Sequence, residues 1–251
     1  MGRKYIEPVL PRLSPQALAD ARRGSLPSLC AVCHGWGGQR VCEHCLARFG
    51  GSVNRCRRCA IELPEGADQC GHCLRAPPAF ARCIAAVGYR FPWDGLVARL
   101  KFDAALDLAP ALAQRLGGAV EASGDPRPDL VVPVPLGPRR LAERGFNQAW
   151  ELARRVAAMV GVEADPRRLL RMRDPEHQLA LKPEQRRANV RGSFAVEPRR
   201  RASLQGRSIA LVDDVMTTGA TADEAARVLL QGGAAAVAVW VVARTPAPHD
   251  R

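Results

Sequence analysis

Apolar positions along this chain change their rhythm near residue 81. From there on, short apolar runs of strand length alternate with stretches in which apolar residues recur at helical spacing. Residues 84–89 read as a strand, and 93–102 and 107–120 as helices. Leu130-Val131-Val132 is a short apolar run expected to stop at Pro133, since proline cannot donate to a sheet ladder. Phe146, Ala149, Trp150, Ala153, Val156, Ala157 and Val160 fall on one helical face, with Gln148, Glu151, Arg154 and Arg155 on the other. Residues 208–212 suit a strand buried on both faces, 222–231 a helix closed by Gly232-Gly233, and 236–242 a second buried strand. Strand and helix in alternation predict an α/β fold, a mostly parallel sheet flanked by helices. Such sheets take ligands at the carboxyl ends of their strands.

Before residue 81 the organisation differs. Residues 1–29 show no clear periodicity and read as an arm, with a short helix expected over 15–23; residues 30–75 hold eight of the nine cysteines; Pro77-Pro78 marks a linker. The cysteines come as Cys30-x-x-Cys33, Cys42-x-x-Cys45, Cys56-x-x-Cys59 and Cys70-x-x-Cys73. Two intervening residues let both thiolates of a pair face one ion, and two such pairs complete a tetrahedral four-sulfur site of the structural zinc type. Eight ligands make two sites, with sequential pairing the simplest arrangement and a cross-braced one open. Disulfides are the rival reading, and a four-cysteine iron–sulfur site a lesser one. His34, His44 and His72 are surplus to the eight sulfurs, and Cys83, without a partner motif, reads as a small buried apolar residue. Closed four-sulfur sites leave no open position, so the module is read as structural.

Composition adds a partner class. Of 251 residues, 37 are Lys or Arg and 25 Asp or Glu, giving a net charge of +12 and a pI near 10.0. That balance favours polyanions. No apolar run is long enough to span a bilayer, and the basic opening Met1-Gly2-Arg3-Lys4 is not followed by an apolar segment, so a cytoplasmic location is expected.

The densest chemistry lies in Leu211-Val212-Asp213-Asp214-Val215-Met216-Thr217-Thr218-Gly219-Ala220-Thr221. It reads as a buried strand ending in two carboxylates, then a hydroxyl-rich loop with a glycine, then a helix. Carboxylates accept hydrogen bonds from ribose hydroxyls, while loop N–H groups and a helix N-terminus face a phosphate. Thr221 with Glu224 also fits a plain capping box, which leaves the acid pair and the other threonines unexplained. Neither a Walker lysine pattern nor G-x-G-x-x-G is present, so ATP and dinucleotide loops fit poorly.

This stretch resembles the ribose-phosphate motif of type I phosphoribosyltransferases. The resemblance implies that Asp213 and Asp214 contact the ribose hydroxyls of phosphoribosyl pyrophosphate and serve as the catalytic acids. It implies that Thr217, Thr218, Gly219, Ala220 and Thr221 hold the 5-phosphate and that magnesium arrives with the pyrophosphate. The four cysteine pairs, Leu100-Lys101-Phe102, Val132-Pro133-Val134-Pro135, the basic run 139–148, and Gln178, Leu181, Arg186 and Asn189 extend the likeness. Taken together, residues 30–245 resemble the ComF family, double-zinc-ribbon proteins with a phosphoribosyltransferase-like domain that are linked to DNA uptake and competence. On that resemblance the second domain spans 81–245. Val134, Pro135, Arg139 and Arg140 belong to a pyrophosphate loop, and Lys101 and Arg144 are further cations. Residues 171–192 form a loop that closes over the sugar with Gln178, Arg186 and Asn189; His177 within it is left out of the site. Two structural zinc ions, magnesium, phosphoribosyl pyrophosphate or a nucleotide, single-stranded DNA and the DNA-uptake machinery are the implied partners.

The resemblance supports two classes of activity: a magnesium-dependent phosphoribosyl transfer, or a non-catalytic module that senses the same ligand and handles single-stranded DNA. Type I enzymes cover their base with a hood; the residues after Val242 are too few for one, so the zinc module is expected to cover the acceptor side. For DNA, the basic stretches Arg55-Cys56-Arg57-Arg58, Arg139-Arg140, Arg154-Arg155, Arg186-Arg187 and Arg199-Arg200-Arg201 are candidate contacts. With 5% aromatic residues, stacking would be sparse and electrostatics dominant.

Overall fold

The computed structural model describes residues 27–173 and 190–246. The expected helix over 15–23, His177 and the candidate positions Gln178, Arg186 and Asn189 lie outside the described residues. The chain divides into two compact units with the boundary between Gly51 and Ser52.

In the first unit, β1 (Ser28–Leu29) pairs antiparallel with β2 (Trp36–Gly37), and α1 (Glu43–Phe49) follows. Cys30 and Cys33 sit on the turn between the strands, Cys42 caps α1 and Cys45 is buried in its first turn.

The second unit opens with the other cysteine segment, which ends in the short helix α2 (Gly71–Arg75). Then come β3 (Arg82–Gly88), α3 (Trp93–Phe102), a 3-10 turn, α4 (Ala109–Ala122), β4 (Leu130–Pro133), α5 (Pro138–Arg144) and α6 (Gln148–Val160). An antiparallel pair, β5 (Leu169–Arg171) with β6 (Phe194–Val196), leads to β7 (Ser208–Met216), α7 (Ala220–Gln231) and β8 (Ala236–Arg244). The sheet has four strands in the order β3-β8-β7-β4, every pair parallel. Helices α4 and α6 pack against it together, and α7 packs on it with β6. The α/β class and the double cysteine clusters are as expected from the sequence.

Side-chain alternation explains the layers. Ile209, Leu211, Val237, Val239 and Val241 share one buried cluster with Ala222, Ala225, Ala226 and Leu229 of α7. Ala60 and Phe80, from the cysteine segment and the linker, belong to that same cluster, as does Cys83, whose thiol pKa burial pushes up. Leu211 is fully buried. We expect Leu211→Ala to cost about 2–5 kcal/mol of stability, read as a lower denaturant midpoint at unchanged slope.

Three expectations shift. Pro133 lies within β4, paired with Val212. β4 is the sheet edge, and two residues earlier the Val131 N–H points away from β7 to Glu163 O at 2.8 Å. The Pro133 nitrogen faces the same outward side, where the ladder needs no donor. Second, β7 does not end at the acid pair but runs on to Met216, because β8 supplies partners as far as Met216↔Arg244. Third, the helix α6 starts at Gln148, with Asn147 as its N-cap accepting from Ala149 N; Gln148 and Leu152 are buried and Phe146 precedes the helix. Gln148 tolerates burial because its amide oxygen accepts from Arg144.

Candidate functional site

The cysteines assort sequentially. In each of the sets Cys30, Cys33, Cys42, Cys45 and Cys56, Cys59, Cys70, Cys73, all four Sγ atoms lie within 4.8 Å of one another. A zinc tetrahedron with bonds of about 2.3 Å has edges of about 3.8 Å. Cys30 and Cys45 are 3.9 Å apart, and Cys33–Cys42 and Cys59–Cys70 are each 3.7 Å. No cysteine is in a disulfide. Backbone N–H groups already point at sulfur: Cys42 N lies 3.4 Å from Cys30 Sγ, and Cys70 N 3.3 Å from Cys56 Sγ. Burial raises the Cys30 thiol, yet N–H groups from Cys33, Cys42 and Val32 outweigh it and bring the pKa down to about 6. The same contest brings Cys56 down to about 7. Both groups could hold zinc, with His34, His44 and His72 exposed beside the sulfurs.

The acid pair sits where β7 outruns its neighbour. β4 pairs with β7 only to Val212, and its chain turns away after Val134 N donates to Val212 O at 2.8 Å. Consecutive strand residues face opposite sides. Asp213 therefore lines a small cavity of about 40 Å³ with Thr217, Thr218, Gly219, Ala220 and Thr221. Asp214, 2% exposed, is paired on the other side with Lys101 of α3, Nζ to Oδ2 2.7 Å. Burial, then the Asp214 charge, push the Asp213 carboxyl well above the ordinary carboxylate range, against the pull of Lys101. Burial alone would lower Lys101; the charges of Asp214 and Asp213 overcome it and raise the pKa. The loop closes on Gly219, which takes φ +82 as the N-cap of α7, a left-handed conformation that favours glycine. Thr221 falls inside that helix, and Glu224 accepts from Gly192 N at 2.8 Å, so no capping box forms.

Arg144 also faces the acids. Its guanidinium stacks 5.6 Å from the Phe102 ring centroid; burial lowers its pKa and Asp214 opposes that. Val134 is held in place by the Asn147 side chain, Nδ2 to Val134 O 3.1 Å, and Pro135 is partly exposed beside it. Arg139 is exposed on α5 and donates to Glu143 Oε1 at 2.8 Å; Arg140 lies near Arg144. The structure thus brings Lys101, Arg144, Asp213, Asp214 and residues 217–221 together.

Sequence reasoning missed Arg244. It is 6% exposed, and its Nε donates to Cys59 O at 2.8 Å while Nη1 donates to Met216 O at 3.1 Å and to Thr217 O. An arginine closing the apolar run 236–243 was the available signal. The second cysteine cluster also borders the loop: Cys59, His72, Pro77 and Pro78 face Thr218, Gly219 and Ala220 across a cavity of about 240 Å³.

DNA utilization protein YhgH of Salmonella typhi is 35% identical over 231 residues, 88% of this chain and 99% of its own. Competence protein F of Haemophilus influenzae is 30% identical over 208 residues, 81% of this chain and 90% of its own. The chain belongs to the ComF family. No family model matches it. Among solved structures, the B. subtilis glutamine phosphoribosylpyrophosphate amidotransferase complexed with ADP and GMP overlaps 52% of this ComF-family chain and 26% of its own. The identity there is 20% and the TM-score 0.35, too distant an overlap to bear on the site. Among the described residues, no helix is long and apolar enough to cross a membrane.

Proposed function

We propose that this ComF-family protein binds phosphoribosyl pyrophosphate. The observation that carries the proposal is the convergence at one strand end of two acids, a hydroxyl-rich loop at the start of a twelve-residue helix, and the cations Lys101 and Arg144. In this reading Thr217, Thr218, Gly219, Ala220 and Thr221 take the 5-phosphate through backbone N–H groups and hydroxyls. Asp213 and Asp214 accept from the ribose hydroxyls. Lys101 and Arg144 face the pyrophosphate, with Val134, Pro135, Arg139 and Arg140 along its loop and Gln178, Arg186 and Asn189 on the closing segment. Magnesium, bound with the pyrophosphate, would neutralise its charge. Displacement of pyrophosphate by an acceptor makes the protein a phosphoribosyltransferase; binding without displacement makes it a sensor. Calorimetric titration of the zinc-loaded protein with phosphoribosyl pyrophosphate and magnesium tests the binding. An absence of heat with any ribose 5-phosphate compound would sink it. Pyrophosphate release that requires an acceptor separates the transferase from the sensor.

The names of the relatives, DNA utilization protein and Competence protein, favour a second role in handling DNA, and we propose single-stranded DNA as a partner in the cytoplasm. Several basic residues singled out for it are engaged internally. Arg55 lies 3.4 Å from Glu62, Arg154 and Arg155 pair with Glu151, Arg200 lies 2.7 Å from Asp165, and Arg201 donates to Gln231 O. For about every four phosphate contacts made, raising salt from about 50 to 200 mM should weaken single-strand binding by roughly 50-fold. Affinity that ignores salt would contradict this electrostatic mode.

A further inference from the structure

The second cysteine cluster and the phosphate loop share one side chain. Arg244 lies at the end of β8, opposite Met216 in the ladder. Along one edge of its guanidinium, Nε reaches the carbonyl of Cys59, a residue of the second four-sulfur set. From the other end, Nη1 reaches Met216 O, Thr217 O and Thr245 O, the last at 3.0 Å. Thr245 completes the clasp: its N–H donates to Met216 O at 3.1 Å and its hydroxyl lies 3.4 Å from Thr217 O. All these bonds end on neutral oxygens, and the group is nearly sealed from water. A planar guanidinium spreads five donors over three nitrogens and so spans two backbones in a fixed fork; an ammonium carries its three donors on one nitrogen at the end of a flexible stem and does not reproduce that fork.

We propose that Arg244 is a positioning residue that couples metal occupancy at Cys56, Cys59, Cys70 and Cys73 to the conformation of the loop 217–221. Metal fixes the Cys59 knuckle, the knuckle fixes the guanidinium, and the guanidinium holds the Met216 and Thr217 carbonyls outward so that the N–H groups that follow turn inward. The ligand aspect of this coupling rests on the sugar-phosphate reading above. Coupling of binding free energies is reciprocal: a ligand on the loop tightens metal binding at the second cluster, and metal loss weakens the ligand.

Arg58 provides the control. It donates to Phe80 O at 3.0 Å and Ala81 O at 2.9 Å, tying the same cysteine segment to the linker with no bond to the Met216 or Thr217 carbonyl. The experiment compares full-length, zinc-loaded wild type, Arg244→Lys and Arg58→Lys. Zinc release is followed by residue-resolved alkylation of Cys56, Cys59, Cys70 and Cys73 under a chelator, and the loop by hydrogen exchange of residues 215–221. Arg244→Lys is expected to speed both, loop exchange by about fivefold or more, with exchange in 208–212 unchanged. Arg58→Lys is expected to speed alkylation alone. Phosphoribosyl pyrophosphate with magnesium should slow alkylation of the second cluster about 5- to 100-fold in wild type and not in Arg244→Lys. Loop exchange that is unaltered in Arg244→Lys, or ligand protection that is equal in both proteins, overturns the coupling. Calorimetry that finds no binding sinks the sugar-phosphate reading instead, and the exchange comparison still decides the coupling.

Discussion

Asp214→Asn is expected to lower affinity for phosphoribosyl pyrophosphate with magnesium by about 10- to 150-fold, while the protein stays folded. The magnitude follows from chemistry: a hydrogen bond to a charged partner contributes about 1.5–3 kcal/mol, and with two acids sharing two ribose hydroxyls Asp214 accepts from one. Asparagine keeps the shape but presents one weak acceptor in place of two charged oxygens. The fold should survive because Lys101, the partner left behind, keeps a quarter of its side chain exposed and can turn to water. Calorimetry gives the affinity and a thermal melt the control. Binding within about threefold of wild type, with an unchanged melt, would remove Asp214 from the ribose site.

Much of this architecture was legible in the sequence, for identifiable reasons. The bounds 93–102 coincide with α3 because Trp93, Leu96, Val97 and Leu100 keep one face buried. Short gaps made sequential cysteine pairing the simplest reading and left a cross-braced one open, and the grouping of the sulfurs decides between them. What the sequence hid was partnership across distance. Asp213 and Asp214 look like the end of a strand, yet β7 continues because β8 lies alongside it. Gln148 reads as a surface residue until Arg144, one turn before it, satisfies its amide. Arg200 reads as a free cation for DNA, and only the fold shows Asp165 waiting for it. Arg244 is the extreme case. Its role joins Cys59 to Met216, positions far apart along the chain, and nothing local announces it.

Chelation is expected to act on the larger unit as well as on the cysteine segments, although the spacing alone suggests a detachable module. The second cluster lies on the far side of the boundary from the first, within the unit that carries the sheet. Ala60, one residue beyond Cys59, is 1% exposed in the core that covers β7 and β8. The segment is also tied by Cys83 N to Arg57 O at 3.1 Å, by Arg58 to Phe80 and Ala81, and by Arg244 to Cys59. Structural zinc contributes about 10–16 kcal/mol to its own fold. If even about 5 kcal/mol of that reaches the sheet, the melting midpoint of a unit this size falls by roughly 10 °C or more. Metal analysis should give two zinc ions per chain before chelation. The buried Trp93 and Trp240 report on the larger unit, and Trp36 on the first. A melt read by tryptophan fluorescence and by hydrogen exchange of β7 and β8 should therefore shift when the second cluster is emptied. A sheet that melts at the same temperature with and without its metals would mean that these ties carry little energy. The cluster would then be an appendage that the domain does not need.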